Sequence, residues 1–99
     1  MGVLDLESRY VDFIKSTVRS ELKNAEIFIF GSRVQGKAKP YSDVDIALKS
    51  TEEIPFEKIL MLKVKFEEST FPYKVDIVDL NTLDENFLNI IQSDLYKID

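Results

Sequence analysis

The chain contains neither cysteine nor histidine. Without cysteine there is no disulfide framework, no thiolate metal site and no thiol nucleophile. Without histidine there is no His-dependent triad, no imidazole zinc site and no imidazole proton shuttle. Any metal must therefore sit on oxygen ligands, which is the hard-cation chemistry of Mg²⁺ or Mn²⁺. No apolar run approaches the roughly 20 residues of a membrane span, and the acidic N-terminus has no signal-peptide pattern. The expected location is cytoplasmic, with no membrane contact. Basic residues are also the minority, 13 against 18 acidic for a net charge of −5, which argues against direct nucleic-acid binding. What is present, 99 residues that are 44% apolar and 31% charged, fits a globule with one core. A single domain over 1–99 is expected.

No repeat or low-complexity stretch interrupts that reading. Leu4, Tyr10, Val11, Ile14, Val18 and Leu22 recur at helical spacing, with Glu7, Arg9, Lys15, Arg19 and Glu21 between them. The pattern predicts an amphipathic helix that stops near Asn24. Ile27–Phe30 is a run of β-branched and aromatic residues without polar alternation, as expected of a strand buried on both faces. Residues 31–42 hold two of the three glycines, a proline, two serines and three basic residues, which reads as a loop or short helical turn. From Asp43 to Lys49, Val44, Ile46 and Leu48 share one face and Asp43, Asp45 and Ala47 the other, predicting a strand with one apolar side. Phe56, Ile59, Leu60, Leu62 and Phe66 mark a second helix after Pro55, with a stripe read as core. Tyr73 to Leu80 alternates as a third strand. Thr82 and Glu85 have capping-box spacing for a last helix bearing Phe87, Leu88, Ile90 and Ile91. Those four cover more than half its circumference, enough to meet another chain. The tail from Asp94 to Asp99 stays undecided. The order predicts an α/β (α+β) domain, a small mixed sheet flanked by helices.

Two features carry chemistry. Asp43 and Asp45 leave the same strand face about 6–7 Å apart, a separation suited to one divalent ion or a pair of them. Asp76 sits inside an apolar strand, where an ionised group is costly unless compensated. Should its strand neighbour that of Asp43, the three acids form a cluster that calls for a cation. Asp79 competes with Asp76, but alternation puts the two on opposite faces, so only one can join. The second feature is Gly31-Ser32, a turn directly after a buried strand, which offers backbone N–H groups and a hydroxyl to phosphate oxygens. Gly36 permits close approach of a second loop. Arg33, Lys37 and Lys39 make residues 31–42 +3 on a chain otherwise at −8. Each part has a plainer explanation: a strand-ending turn, a solvated strand face, solubilising lysines. It is the combination that points to Mg²⁺-polyphosphate binding. The Gly-Lys-Ser/Thr ending of a Walker A loop is absent.

Gly31-Ser32-Arg33-Val34-Gln35-Gly36, Ser42-Asp43-Val44-Asp45 and Val75-Asp76-Ile77-Val78-Asp79, in that order, resemble the DNA polymerase beta-like nucleotidyltransferase superfamily. The match is nearest to its minimal nucleotidyltransferase (MNT) branch, antitoxins that act beside HEPN-domain toxins. The resemblance implies nucleotide contacts at Gly31, Ser32, Arg33, Gly36 and Ser42. It also implies that Asp43, Asp45 and Asp76 are both the metal ligands (two Mg²⁺ ions, with Mn²⁺ able to substitute) and the catalytic set. Asp76 would help activate the acceptor hydroxyl, and the resemblance favours it over Asp79. The implied function is that of the antitoxin in a type VII-like toxin–antitoxin pair, transferring AMP from ATP to a tyrosine hydroxyl of a HEPN toxin. Larger relatives carry an added acceptor domain, for which 99 residues leave no space, so a protein acceptor in a homo- or hetero-oligomer is expected. The alternatives are a small-molecule nucleotidyltransferase, an antitoxin that neutralises by binding alone, and last a scaffold domain.

Overall fold

The computed structural model describes residues 4–99. In chain order it contains α1 (Ser8–Glu21), β1 (Glu26–Phe30), α2 (Ser32–Gln35), β2 (Val44–Lys49), α3 (Phe56–Glu67), β3 (Val75–Asp79), α4 (Glu85–Ile91), a 3-10 turn (Gln92–Asp94) and β4 (Tyr96–Lys97). The strands form one mixed sheet in the order β3-β2-β1-β4. β1 runs antiparallel to both β2 and β4, whereas β2 and β3 are parallel. Parallel neighbours need a crossover, and α3 supplies it. The undecided tail thus becomes a two-residue edge strand, pairing Tyr96 with Ile29 and Lys97 with Phe28.

Strand alternation gives the sheet two different faces. On one, Ile27, Ile29, Val44, Ile46, Leu48 and Ile77 meet Ile14 and Val18 of α1 and Ile59, Leu62 and Phe66 of α3. Fully burying a side chain of this kind stabilises by about 1.5–3 kcal/mol, so this cluster is the main core. On the other face, Phe28, Phe30, Ala47 and Val78 lie under Leu80, Leu83, Leu88, Ile91 and Leu95. β1 and β2 are therefore covered from both sides, and Ala47, expected on the polar side of its strand, is fully buried.

Three elements start or pack differently from their sequence pattern. α1 begins at Ser8, while Leu4 and Leu6 precede it and pack against the main core. α4 begins after Asp84, whose side chain accepts from Asn86 N, rather than at Thr82. Thr82 is already engaged: its N–H and hydroxyl both donate to Asp79 O in the turn leaving β3. On α3 only Ile59, Leu62 and Phe66 reach the core, while Phe56 is 70% exposed and Leu60, Met61 and Val64 line the outer side. An apolar stripe wider than the buried arc leaves its margins in water. On α4, likewise, Ile91 is buried and Phe87 and Ile90 are exposed.

Candidate active site

Register builds the site. Phe30 of β1 pairs with Asp45 of β2, and Asp45 pairs with Asp76 of β3. Paired residues on adjacent strands point to the same face, about 4.8 Å apart. Asp43, two residues before Asp45, lies just ahead of β2. Asp79 pairs with Leu48 on the opposite face, and its Oδ1 accepts from Asn81 N at 2.9 Å. It holds the turn after β3 and stands away from the acid row.

The three acids are not equivalent. Asp43 and Asp76 are exposed, whereas Asp45 is half-buried between them. Burial, then the charges of Asp76 and Asp43, push the Asp45 carboxyl up to about 6 from 3.8. A carboxylate raised in this way is one whose charge lacks a partner. Among the described residues, however, no three acidic side chains stand close enough to hold a metal ion unaided. The acid row is therefore not a complete cation site by itself. Like charges facing one another without a counter-ion favour separation, and Mg²⁺ is commonly held by one or two carboxylates together with substrate phosphates and water. An all-oxygen donor set of this kind fits a hard cation arriving with a nucleotide.

Gly31 stands directly over Asp45. Its φ is +81°, and a Cβ there would overlap Asp45 Oδ2. The backbone conformation calls for glycine, and a side chain there would also have to displace the Asp45 carboxylate. Gly31 O accepts from Val34 N and Gln35 N, turning the chain into α2 with Ser32 as its first residue. The first N–H groups of a helix have no partner within it, so the Gly31-Ser32 turn has backbone donors close to Asp45.

Arg33, Gly36 and Ser42, expected from sequence to be nucleotide contacts, each have a part in holding the loop. Arg33 is only 4% exposed. Its Nη1 donates to Asp5 O at 3.0 Å and its Nη2 to Ser42 O at 2.8 Å, and the guanidinium lies 4.0 Å from the centroid of the Tyr73 ring. A group enclosed on this many sides has no open edge for a phosphate. Gly36 adopts φ +73° as the left-handed cap of α2, with open space where a Cβ would stand; its role is to end the helix. Ser42 Oγ accepts from Lys39 N at 2.7 Å, and Ser42 N donates to Lys39 O at 3.0 Å. Ser42 therefore closes a turn through Pro40. Lys37 and Lys39 are exposed on this loop. Tyr73 escapes sequence pattern altogether, because its part depends on an arginine 40 positions away.

Acids at one end of a mixed sheet, facing a Gly-Ser turn that starts a short helix, characterise domains that move nucleotidyl groups. Comparison with known proteins agrees. Residues 12–96 match the family described as Polymerase beta, Nucleotidyltransferase, and the chain belongs to that family. It is 39% identical over 89 residues to the protein named Probable protein adenylyltransferase MntA from Haemophilus influenzae (strain ATCC 51907 / DSM 11121 / KW20 / Rd), covering 90% of this chain and 78% of that protein. A crystal structure of a toxin–antitoxin with AMP-PNP shares the fold, with a TM-score of 0.77 at 24% identity over 89% of this chain and 71% of that one. So does a chain in the structure of a tri-AMPylated Shewanella oneidensis HEPN toxin in complex with MNT antitoxin, with a TM-score of 0.73 at 20% identity over 94% of this chain and 71% of that one. Among the described residues no helix is long and apolar enough to cross a membrane.

Proposed function

We propose that this chain is a protein adenylyltransferase that moves AMP from ATP to a tyrosine hydroxyl of a partner HEPN toxin and so acts as its antitoxin. The observation that carries the reading is the 39% identity, across 90% of the chain, to a protein bearing the adenylyltransferase name. The acid row under Gly31 supplies a place for the chemistry. Both apolar clusters lie against the same sheet, which supports reading the chain as one minimal nucleotidyltransferase domain.

In this proposal Asp43 and Asp45 hold Mg²⁺ (a pair of ions, or Mn²⁺ in its place), with Asp76 completing the set. Mg²⁺ bound there would neutralise charge building on the triphosphate. Gly31 keeps the backbone low over Asp45, so that the N–H groups and hydroxyl at Ser32 can meet phosphate oxygens. The acceptor oxygen attacks the α-phosphorus, its proton passes to the Asp76 carboxylate, and the bond to the β-phosphate breaks to release pyrophosphate. Without histidine, a carboxylate is the base at hand. Asp76 is exposed at the rim of the row, where an incoming protein hydroxyl would arrive.

The test is incubation with labelled ATP, Mg²⁺ and the protein encoded beside its gene. Label should appear on that partner and vanish with Asp43→Asn or Asp45→Asn. Neutralisation of the partner that survives both substitutions would mean that binding alone suffices.

A further inference from the structure

Arg33 is the most deeply enclosed charged side chain among the described residues. No carboxylate accompanies it, and both of its hydrogen-bond acceptors are main-chain carbonyls. Its Nε has no hydrogen-bond partner. Burying a guanidinium on these terms is unfavourable, so the residue is held by what its contacts join. Two of those contacts lead to the acid row, and the third ties in the segment ahead of α1. Nη2 binds Ser42 O, one residue before Asp43. The ring beneath the guanidinium belongs to Tyr73, three residues before Asp76. Nη1 binds Asp5 O, while Asp5 N donates to Arg33 O at 2.7 Å, tying the segment ahead of α1 to the same point. Val44 N donates to Lys74 O at 2.9 Å where β2 and β3 begin to pair.

We infer that Arg33 is a positioning residue for nucleotidyl transfer. It clamps the peptide before Asp43 to the segment before Asp76, so that the two strands present their acids in one register. The inference rests on the reaction proposed above and assigns Arg33 no contact with the nucleotide. Planarity matters here, because one flat fork reaches two carbonyls while its face stays on the Tyr73 ring. Lysine can keep the charge over the ring, but it cannot hold both carbonyls in that geometry. The energetic logic is that of preorganisation: a carboxylate displaced by about 1 Å costs on the order of 100-fold in rate.

The experiment compares Arg33→Met and Arg33→Lys with the unaltered chain by two readouts, transfer kinetics and hydrogen exchange at the Val44 amide. For Arg33→Met we expect kcat to fall by about 100-fold, KM for ATP to change by less than about threefold, and Val44 to exchange at least about tenfold faster. Arg33→Lys should recover roughly a tenth of the lost rate. A nucleotide contact would instead raise KM and leave the Val44 amide protected, and that result overturns the inference. So does an Arg33→Met chain with unaltered kcat. If Arg33→Met does not fold, Tyr73→Leu keeps both carbonyl bonds and removes the ring, which also packs edge-on against Tyr10 and Phe71; faster Val44 exchange with reduced kcat that Tyr10→Leu does not reproduce supports the clamp, and unchanged values, or the same change in Tyr10→Leu, overturn it. An unaltered chain that transfers nothing would sink the reaction itself, whereas the exchange readout decides the clamp without turnover.

Discussion

Two neighbouring rows on one sheet face have opposite chemistry. Phe28, Ala47 and Val78 form one row, and the next holds Phe30, Asp45 and Asp76. A step of two residues, roughly 7 Å along the strands, separates a closed apolar cluster from an acid shelf. The difference lies in what covers each row. α4 and the residues around it cap the first with Leu88, Ile91 and Leu95. Over Asp45 in the second stands the Gly31 turn, so close that a Cβ at Gly31 would meet the carboxylate. Phe30 marks the seam, since it belongs to the apolar cluster while pairing with Asp45. The lesson is that strand alternation fixes which residues share a face, but the cover decides whether that face is core or site.

Substitutions that move chemistry across the seam should break the contrast. The largest stability effect is expected for Ala47→Asp, which puts an unpaired carboxylate in the covered row; a loss of about 3–5 kcal/mol is expected in chemical denaturation. Gly31→Ala comes next. It forces a side chain into the left-handed region and against Asp45, costing about 1–3 kcal/mol and displacing the carboxylate, so transfer should fall along with stability. Asp45 gives the pH signature. Its folded pKa, about 6, lies above the ordinary 3.8, so the folded state holds the proton more tightly, and ionisation destabilises it at neutral pH. Allowing for solvent screening at a half-exposed site, the cost is about 1–2 kcal/mol. Asp45→Asn should therefore be the more stable chain at pH 7 without divalent ions, and its advantage should shrink as pH falls through 6 and vanish below about 4, read from melting curves across that range. The smallest effect belongs to the cover itself. Asp84→Ala removes a 3.3 Å cap on α4 and should cost about 0.5–1 kcal/mol, leaving transfer nearly unchanged.

Much of this was legible because period-two alternation survives in β2 and β3: Val44, Ile46 and Leu48, then Val75 and Ile77, mark the buried face directly. The choice between Asp76 and Asp79 was less so, since it rests on which strand lies beside β2 and in what register. The start of α4 is illegible for a local reason. Thr82 and Asp84 are both good caps, and only the turn that engages Thr82 shows which one is free. The structural parts of Arg33 and Ser42 are illegible for a distant one. In a +3 loop after a glycine, an arginine resembles a phosphate ligand, whereas here its partners are the carbonyl of Asp5, the carbonyl of Ser42 and the ring of Tyr73. Main-chain acceptors leave no trace in side-chain pattern. α3 shows the reverse: periodicity places the helix, but Phe56 and Leu60 fall outside the arc that the sheet can bury.

The central claim is that the acid row is kept for catalysis at the expense of stability. The most direct test pairs two numbers from one variant, transfer rate and melting temperature for Asp45→Asn at pH 7 without added metal in the melt. The account predicts a rate lowered by at least about 100-fold together with a higher melting temperature. A variant that transfers AMP at the unaltered rate, or that melts lower than the parent chain, would contradict it.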